Sequence, residues 1–182
     1  KKLIYNSGIN YININEIDIR KNKYKYKNQS AINSNSSLLI VNSSGTTGDP
    51  KKIIIDIDRL WSSAKNFTSN YKFLNSKNTF FNILPMSYLG GLFNLGLIPL
   101  SLGAKIVIDK QFSGNTFLTF WNKAKRYNID IIWLVPSILR GLISISKKVK
   151  KNYKNYNFVP SACFLGTANA TSKEKKDFEK IF

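Results

Sequence analysis

Between two apolar runs, Leu38-Leu39-Ile40-Val41 and Ile53-Ile54-Ile55, the chain carries Asn42-Ser43-Ser44-Gly45-Thr46-Thr47-Gly48-Asp49-Pro50-Lys51. These residue types suit the holding of a phosphate. Glycines let backbone N–H groups approach an anion closely, the hydroxyls of Ser43, Ser44, Thr46 and Thr47 offer donors without adding charge, and Lys51 supplies a counter-charge. A Walker loop is excluded: counted from Gly45, the position that needs its second glycine holds Pro50.

Two further segments carry chemistry-bearing residues. Pro85-Met86-Ser87-Tyr88-Leu89-Gly90-Gly91-Leu92 reads as a strand end, a turn and a glycine-rich helix start. Cys163-Phe164-Leu165-Gly166-Thr167-Ala168 reads as a strand running into a small-residue turn. Histidine is absent from the whole chain, which argues against Ser-His-Asp hydrolysis and against histidine-rich metal sites.

The stretch from Ser43 to Lys51 resembles the nucleotide-phosphate signature of the adenylate-forming (AMP-binding) superfamily, which includes acyl-CoA synthetases, peptide-synthetase adenylation domains and luciferases. Departures lie at its rims, with Asn42 where the family often has an aromatic residue and Lys52 where it usually has glycine. The Pro85 segment resembles the family's Pro-x-x-His-x-x-Gly segment near the acyl pocket, with Tyr88 in the histidine position. The Cys163 segment resembles the strand and Gly-Gly/Ser-Ala turn on the adenine side of the nucleotide. The resemblance covers residues 38–182, in family order.

What it implies is activation of a carboxylic acid by ATP to an acyl-adenylate with release of pyrophosphate, then transfer to a thiol of CoA or of a carrier protein. The two-glycine segment and the strand-to-helix passage at residues 131–137 lean towards the acyl-CoA synthetases. By the resemblance, Lys51 and Thr46 are catalytic, and Ser43, Ser44, Gly45, Thr46, Thr47, Gly48, Lys51, Gly166, Thr167 and Ala168 contact the nucleotide. Tyr88, Gly90 and Gly91 belong to the substrate pocket. Mg2+ is expected with ATP, but no metal residue is assigned: Asp49 occupies a variable position, and the family's metal-binding carboxylate belongs to a Tyr-Gly-x-Thr-Glu turn that this chain lacks. Two other readings stand beside this one, a truncated or degenerate nucleotide-binding relative without catalysis and a basic module that interacts with nucleic acid.

The elements that must position these residues follow from pattern. Strand-like runs at 38–41, 52–57, 80–84, 105–108, 131–135 and 162–165 alternate with helix-like segments, as in an α/β layer fold with a largely parallel sheet. Leu60, Ala64, Phe67 and Tyr71 form one helical stripe after Asp58, a candidate N-cap. Phe117, Phe120, Trp121, Ala124 and Tyr127 form another. Pro136 suits the opening of a helix bearing Ile138, Leu139 and Leu142, and Thr171 with Glu174 makes a capping box for the last one. Residues 1–37 read as exposed strands and a polar linker preceding a partial AMP-binding domain at 38–182.

Composition sets the remaining bounds. The chain has 182 residues, 43% of them hydrophobic, enough for one sizeable core. It starts at Lys1 and its single methionine is Met86, which reads as a fragment of a longer ligase whose C-terminal catalytic portion lies beyond Phe182. A net charge of +18 would ordinarily suggest nucleic acid, but lysine is dispersed and accompanied by abundant Asn and Ile, a compositional bias. No specific nucleic-acid partner is expected. The single cysteine, Cys163, excludes an internal disulfide and reads as a small core residue, and a cytoplasmic location is the expectation. The uncharged stretch 86–104 contains Pro99 and four glycines and reads as a buried helix leading into a strand, not as a membrane span.

Overall fold

The computed structural model describes residues 38–43, 51–110, 112–148, 158–166 and 168–182. The strands and linker expected in residues 1–37 lie outside the described residues.

All six expected strands form, in order: β1 (Leu38–Ser43), β2 (Lys51–Asp56), β3 (Thr79–Asn82), β4 (Lys105–Ile108), β5 (Ile131–Leu134) and β6 (Ala162–Leu165). The last four make a parallel sheet in the order β4-β3-β5-β6. By contrast β1 and β2 pair antiparallel in a sheet of their own. The reason is the length of chain between them: a parallel crossover needs a dozen or more residues, and residues 44–50 are too few.

Among the described residues five α-helices connect and cover the strands: α1 (Ile57–Asn70), α2 (Ile98–Leu102), α3 (Gly114–Arg126), α4 (Pro136–Lys148) and α5 (Ser172–Ile181). A π-helical segment, Gly90–Leu97, runs directly into α2. Within the stretch 86–104, residues 90–102 are therefore helical, and Gly103 ends the helix in the left-handed conformation at φ 67°, where a side chain would be strained. Among the described residues no helix is long and apolar enough to cross a membrane.

All four residues of β3 and all four of β5 are buried, the pattern of parallel strands covered on both faces. Side chains alternate across a strand, so Trp133 and Phe164 point to one face and Phe81 to the other. On the first face Phe67 of α1 lies 5.5 Å from both Trp133 and Phe164; on the second, Phe81 stacks on Phe120 of α3 at 5.5 Å. Phe80, Phe81, Ile131, Ile132 and Leu134 are sealed at the centre, each stabilising the fold by roughly 1.5–3 kcal/mol relative to exposure.

The expected helical stripes hold, with Leu60 and Ala64 buried in α1 and Phe120, Trp121 and Ala124 in α3. One cap differs. Asp56, not Asp58, caps α1: its extended backbone (φ −69°, ψ 129°) ends β2, and its carboxylate accepts from the Asp58 and Arg59 amides at 2.8 and 3.3 Å. Asp58 instead adds negative charge to the first turn, which the helix dipole favours. Cys163 also differs from expectation, being exposed. It shares the face of Ile132 on β6, an edge strand of the described sheet, away from the aromatic cluster around Phe164.

Candidate functional site

The register of the β1–β2 pair sets Ser43 opposite Lys51, at the point where the strands give way to residues 44–50. The two ends of the expected phosphate loop are thus adjacent in the backbone. Ser44, Gly45, Thr46, Thr47 and Gly48 lie outside the described residues, as does Thr167.

After β3 the chain turns sharply at the second expected segment. The Tyr88 amide donates to the Pro85 carbonyl at 3.0 Å, and the Tyr88 carbonyl accepts from Gly91 and Leu92 at 2.9 and 3.0 Å. Both glycines are buried, and the reason differs for each. A Cβ on Gly90 would stand 2.6 Å from Tyr88 Cε1, whereas one on Gly91 would stand 2.2 Å from the Pro85 carbonyl oxygen, which cannot rotate away. The tyrosine ring therefore packs over a glycine surface and is 41% exposed on its outer side.

Asn82 holds this turn in place. Sealed at the end of β3, it donates through Nδ2 to the carbonyls of Gly91 (3.1 Å) and Leu95 (3.2 Å), with the Met86 sulfur 3.1 Å away. Its Oδ1 accepts from the Leu84 amide at 3.3 Å. A buried amide so placed satisfies the backbone of a π-helical segment whose i→i+5 winding departs from the α-helical ladder.

Beyond the carboxyl ends of the four parallel strands lies a cavity of about 770 Å3. Tyr88 lines it after β3, Phe112 after β4, Val135 and Pro136 after β5, and Ala168 after β6. The strand order reverses at β3, which has β4 on one side and β5 on the other. Ligands of open parallel sheets bind at such a reversal, outside the carboxyl ends of the strands. Of the sequence-predicted residues, the structure brings Tyr88 and Ala168 into this one cavity. Gly90 and Gly91 sit behind Tyr88 and shape it from beneath without lining the space. Gly166 lies just outside the lining: its amide donates to the Leu134 carbonyl at 3.2 Å, and a Cβ there would come 3.2 Å from Trp133 Nε1.

Among the described residues of the lining Arg140 is the charged one, and sequence reasoning missed it. Its Nε donates to Glu174 Oε1 at 2.5 Å and its Nη2 to the Asn169 carbonyl at 3.3 Å. The other Glu174 oxygen accepts from the Thr171 amide at 2.7 Å, completing the expected capping box of α5. Arg140 and the Thr171 amide together hold the Glu174 carboxyl down to about 2, and the carboxylate in turn raises Arg140. A signal for Arg140 existed: it is the sole charge in the otherwise apolar or neutral run from Ile131 to Ser146.

Comparison with known proteins places this geometry. The family model described as AMP-binding enzyme matches residues 7–182. The chain is 31% identical over 137 residues to the 4-coumarate--CoA ligase-like 6 of Arabidopsis thaliana, covering 72% of this chain and 23% of that protein. It is 36% identical over 101 residues to the oxalate--CoA ligase of Arabidopsis thaliana, covering 55% of this chain and 19% of that one. The chain therefore spans about a fifth to a quarter of the length of these curated relatives. Among solved structures, the McyG A-PCP complexed with phenylalanyl-adenylate shares the fold at TM-score 0.75 and 16% identity, over 99% of this chain and 28% of that one. The inhibitor-bound N-terminal domain of FACL13 from Mycobacterium tuberculosis shares it at TM-score 0.62 and 20% identity, over 77% of this chain and 33% of that one. From the phosphate-loop signature, the parallel sheet with its cavity and the match along nearly the whole chain, it follows that this protein belongs to the AMP-binding enzyme family.

Proposed function

We propose that this chain is the phosphate-loop and acid-side portion of an acid–thiol ligase that converts a carboxylic acid and ATP into an acyl-adenylate and pyrophosphate. The observation that carries the reading is the cavity at the carboxyl ends of all four parallel strands, with Tyr88 on one wall and Ala168 on another. These come from the two segments expected to face the acid and the adenine.

The acid is already ionised near neutral pH, since a carboxyl titrates at about 4. A carboxylate oxygen attacks the α-phosphorus, a P–O bond to the β-phosphate breaks, and pyrophosphate leaves with the electron pair. No general base is required, which accords with a chain lacking histidine. Acceleration comes from positioning and from neutralising phosphate charge. Lys51 and the hydroxyls of Ser43, Ser44, Thr46 and Thr47 hold the β- and γ-phosphates, Gly45 and Gly48 let the loop wrap them, and the Gly166–Thr167–Ala168 turn flanks the adenine. Magnesium arrives with ATP. Among the described residues no group of three or more His, Cys, Asp or Glu is placed to hold a metal ion, so no side chain here is assigned to it.

In the second half-reaction the sulfur of a thiol attacks the acyl carbon, AMP leaves, and the thiol proton passes to solvent. CoA is the acceptor favoured by the relatives named as CoA ligases, with a carrier-protein thiol as the other choice. Calorimetric titration of the chain with Mg-ATP tests the phosphate role. Binding that weakens tenfold or more in Lys51→Ala supports it, and equal affinity of the two proteins would sink it.

A further inference from the structure

We propose that Arg140 is a positioning residue for the nucleotide: from α4 it holds in place the turn that follows β6, the one expected to flank the adenine. This rests on the ligase reading above and adds to it a residue that none of the three motif segments supplies.

The turn leaves the sheet at Gly166 and re-enters regular structure at Thr171, the N-cap of α5. Its first end is fixed by β5. The Gly166 amide donates to the Leu134 carbonyl at 3.2 Å, and the Trp133 indole packs so near that a Cβ on Gly166 would come 3.2 Å from Nε1.

The second end is held by a side chain from further back in the sequence. Arg140 Nη2 donates to the Asn169 carbonyl at 3.3 Å, and Nε donates to Glu174 Oε1 at 2.5 Å. Glu174 in turn accepts through its other oxygen from the Thr171 amide at 2.7 Å and the Thr171 hydroxyl at 3.1 Å. One guanidinium thus ties the carbonyl next to Ala168 to the cap of the helix that follows. A planar fork with donors at fixed angles bridges two acceptors, whereas a lysine ammonium is a compact point charge.

The base of this bridge is rigid. Helix α4 starts directly after β5 and is packed through Ile138, Leu139 and Leu142, all buried. The Arg140 side chain itself is 54% exposed, and an ion pair so exposed adds little to global stability. Its consequence is local: it sets where Asn169 lies, and with it Ala168 on the wall of the cavity.

The test is calorimetric titration of the full 182-residue chain with Mg-ATP and with Mg-tripolyphosphate, which carries the phosphates without the base. Arg140→Met keeps the apolar stem and removes the donors. In it ATP affinity falls about fivefold, the worth of one hydrogen bond, while tripolyphosphate affinity is unchanged. A purely electrostatic effect would weaken tripolyphosphate, the more highly charged ligand, at least as much. Equal ATP affinity in the variant, or a parallel loss for both ligands, would therefore overturn the proposal. Arg140→Lys keeps the charge beside Glu174 without the bridge and recovers only part of the lost ATP affinity; full recovery would contradict the bridging role. Failure of the ligase reading shows differently, as ATP and tripolyphosphate affinities both indifferent to Lys51→Ala. A chain that binds neither ligand before substitution would overturn that reading and the role of Arg140 together.

Discussion

Asn82 and Gly91 are joined by a hydrogen bond of 3.1 Å between a side-chain amide at the end of β3 and a backbone carbonyl of the π-helical segment. Through it, and through the parallel bond to Leu95, the sheet fixes the turn on which Tyr88 stands. Replacing Asn82 by leucine keeps the volume but leaves the Gly91 and Leu95 carbonyls without this donor. Each buried polar group so stranded costs about 1–3 kcal/mol. Urea denaturation should show a loss of that order, with Asn82→Leu also weakening acid binding at Tyr88; an unchanged midpoint would show that the bonds carry no net stability.

Gly91→Ala and Gly114→Ala form a contrasting pair. The first places a Cβ 2.2 Å from a backbone oxygen, and the second meets nothing within 4 Å. Overpacking of this kind costs typically about 1–3 kcal/mol, whereas alanine at an unstrained helical start is neutral or stabilising by about 0.4–1 kcal/mol. Thermal unfolding of the two variants side by side checks the ordering, and equal melting temperatures would refute it.

The Arg140–Glu174 pair makes stability depend on acid pH. Glu174 titrates at about 2 when folded against an ordinary 4.5, so the pair's contribution is fully present above 4.5 and is lost as the pH falls towards 2. Asp177, lowered by Lys147 at 3.0 Å, acts in the same direction between α4 and α5. Glu174→Gln should therefore flatten the decline in stability over pH 4.5 to 2, most visibly at low salt because the groups are solvated. Denaturant midpoints at several pH values read this directly; parallel curves for the two proteins would contradict it.

Elements formed by local pattern were legible in the sequence. Every strand of the parallel sheet sits within two residues of its expected run, because apolar blocks such as Phe80-Phe81 and Ile131-Ile132 are bounded by polar or breaking residues. The Thr171–Glu174 box was legible because its partners are three residues apart. What escaped was carried by distance along the chain. Asn82 meets carbonyls nine and thirteen residues on, and Arg140 meets a carboxylate thirty-four residues on, so neither pairing leaves a local trace. The cap of α1 was misassigned because Asp56 and Asp58 flank Ile57 alike, and only the extended backbone at Asp56 separates them. Of the candidate site, Tyr88 and Ala168 line one cavity, while the loop from Ser44 to Gly48 rests on its sequence alone.

The most direct measurement for the ligase reading is carboxylate-dependent exchange of labelled pyrophosphate into ATP, made on the intact ligase that carries this segment, with and without Lys51→Ala. Removing one group that stabilises developing charge costs about 10²–10³ in rate. The account predicts exchange that requires an added carboxylic acid and falls by that order in the variant. Exchange that is independent of added acid, or that proceeds equally well without the Lys51 ammonium, would contradict it.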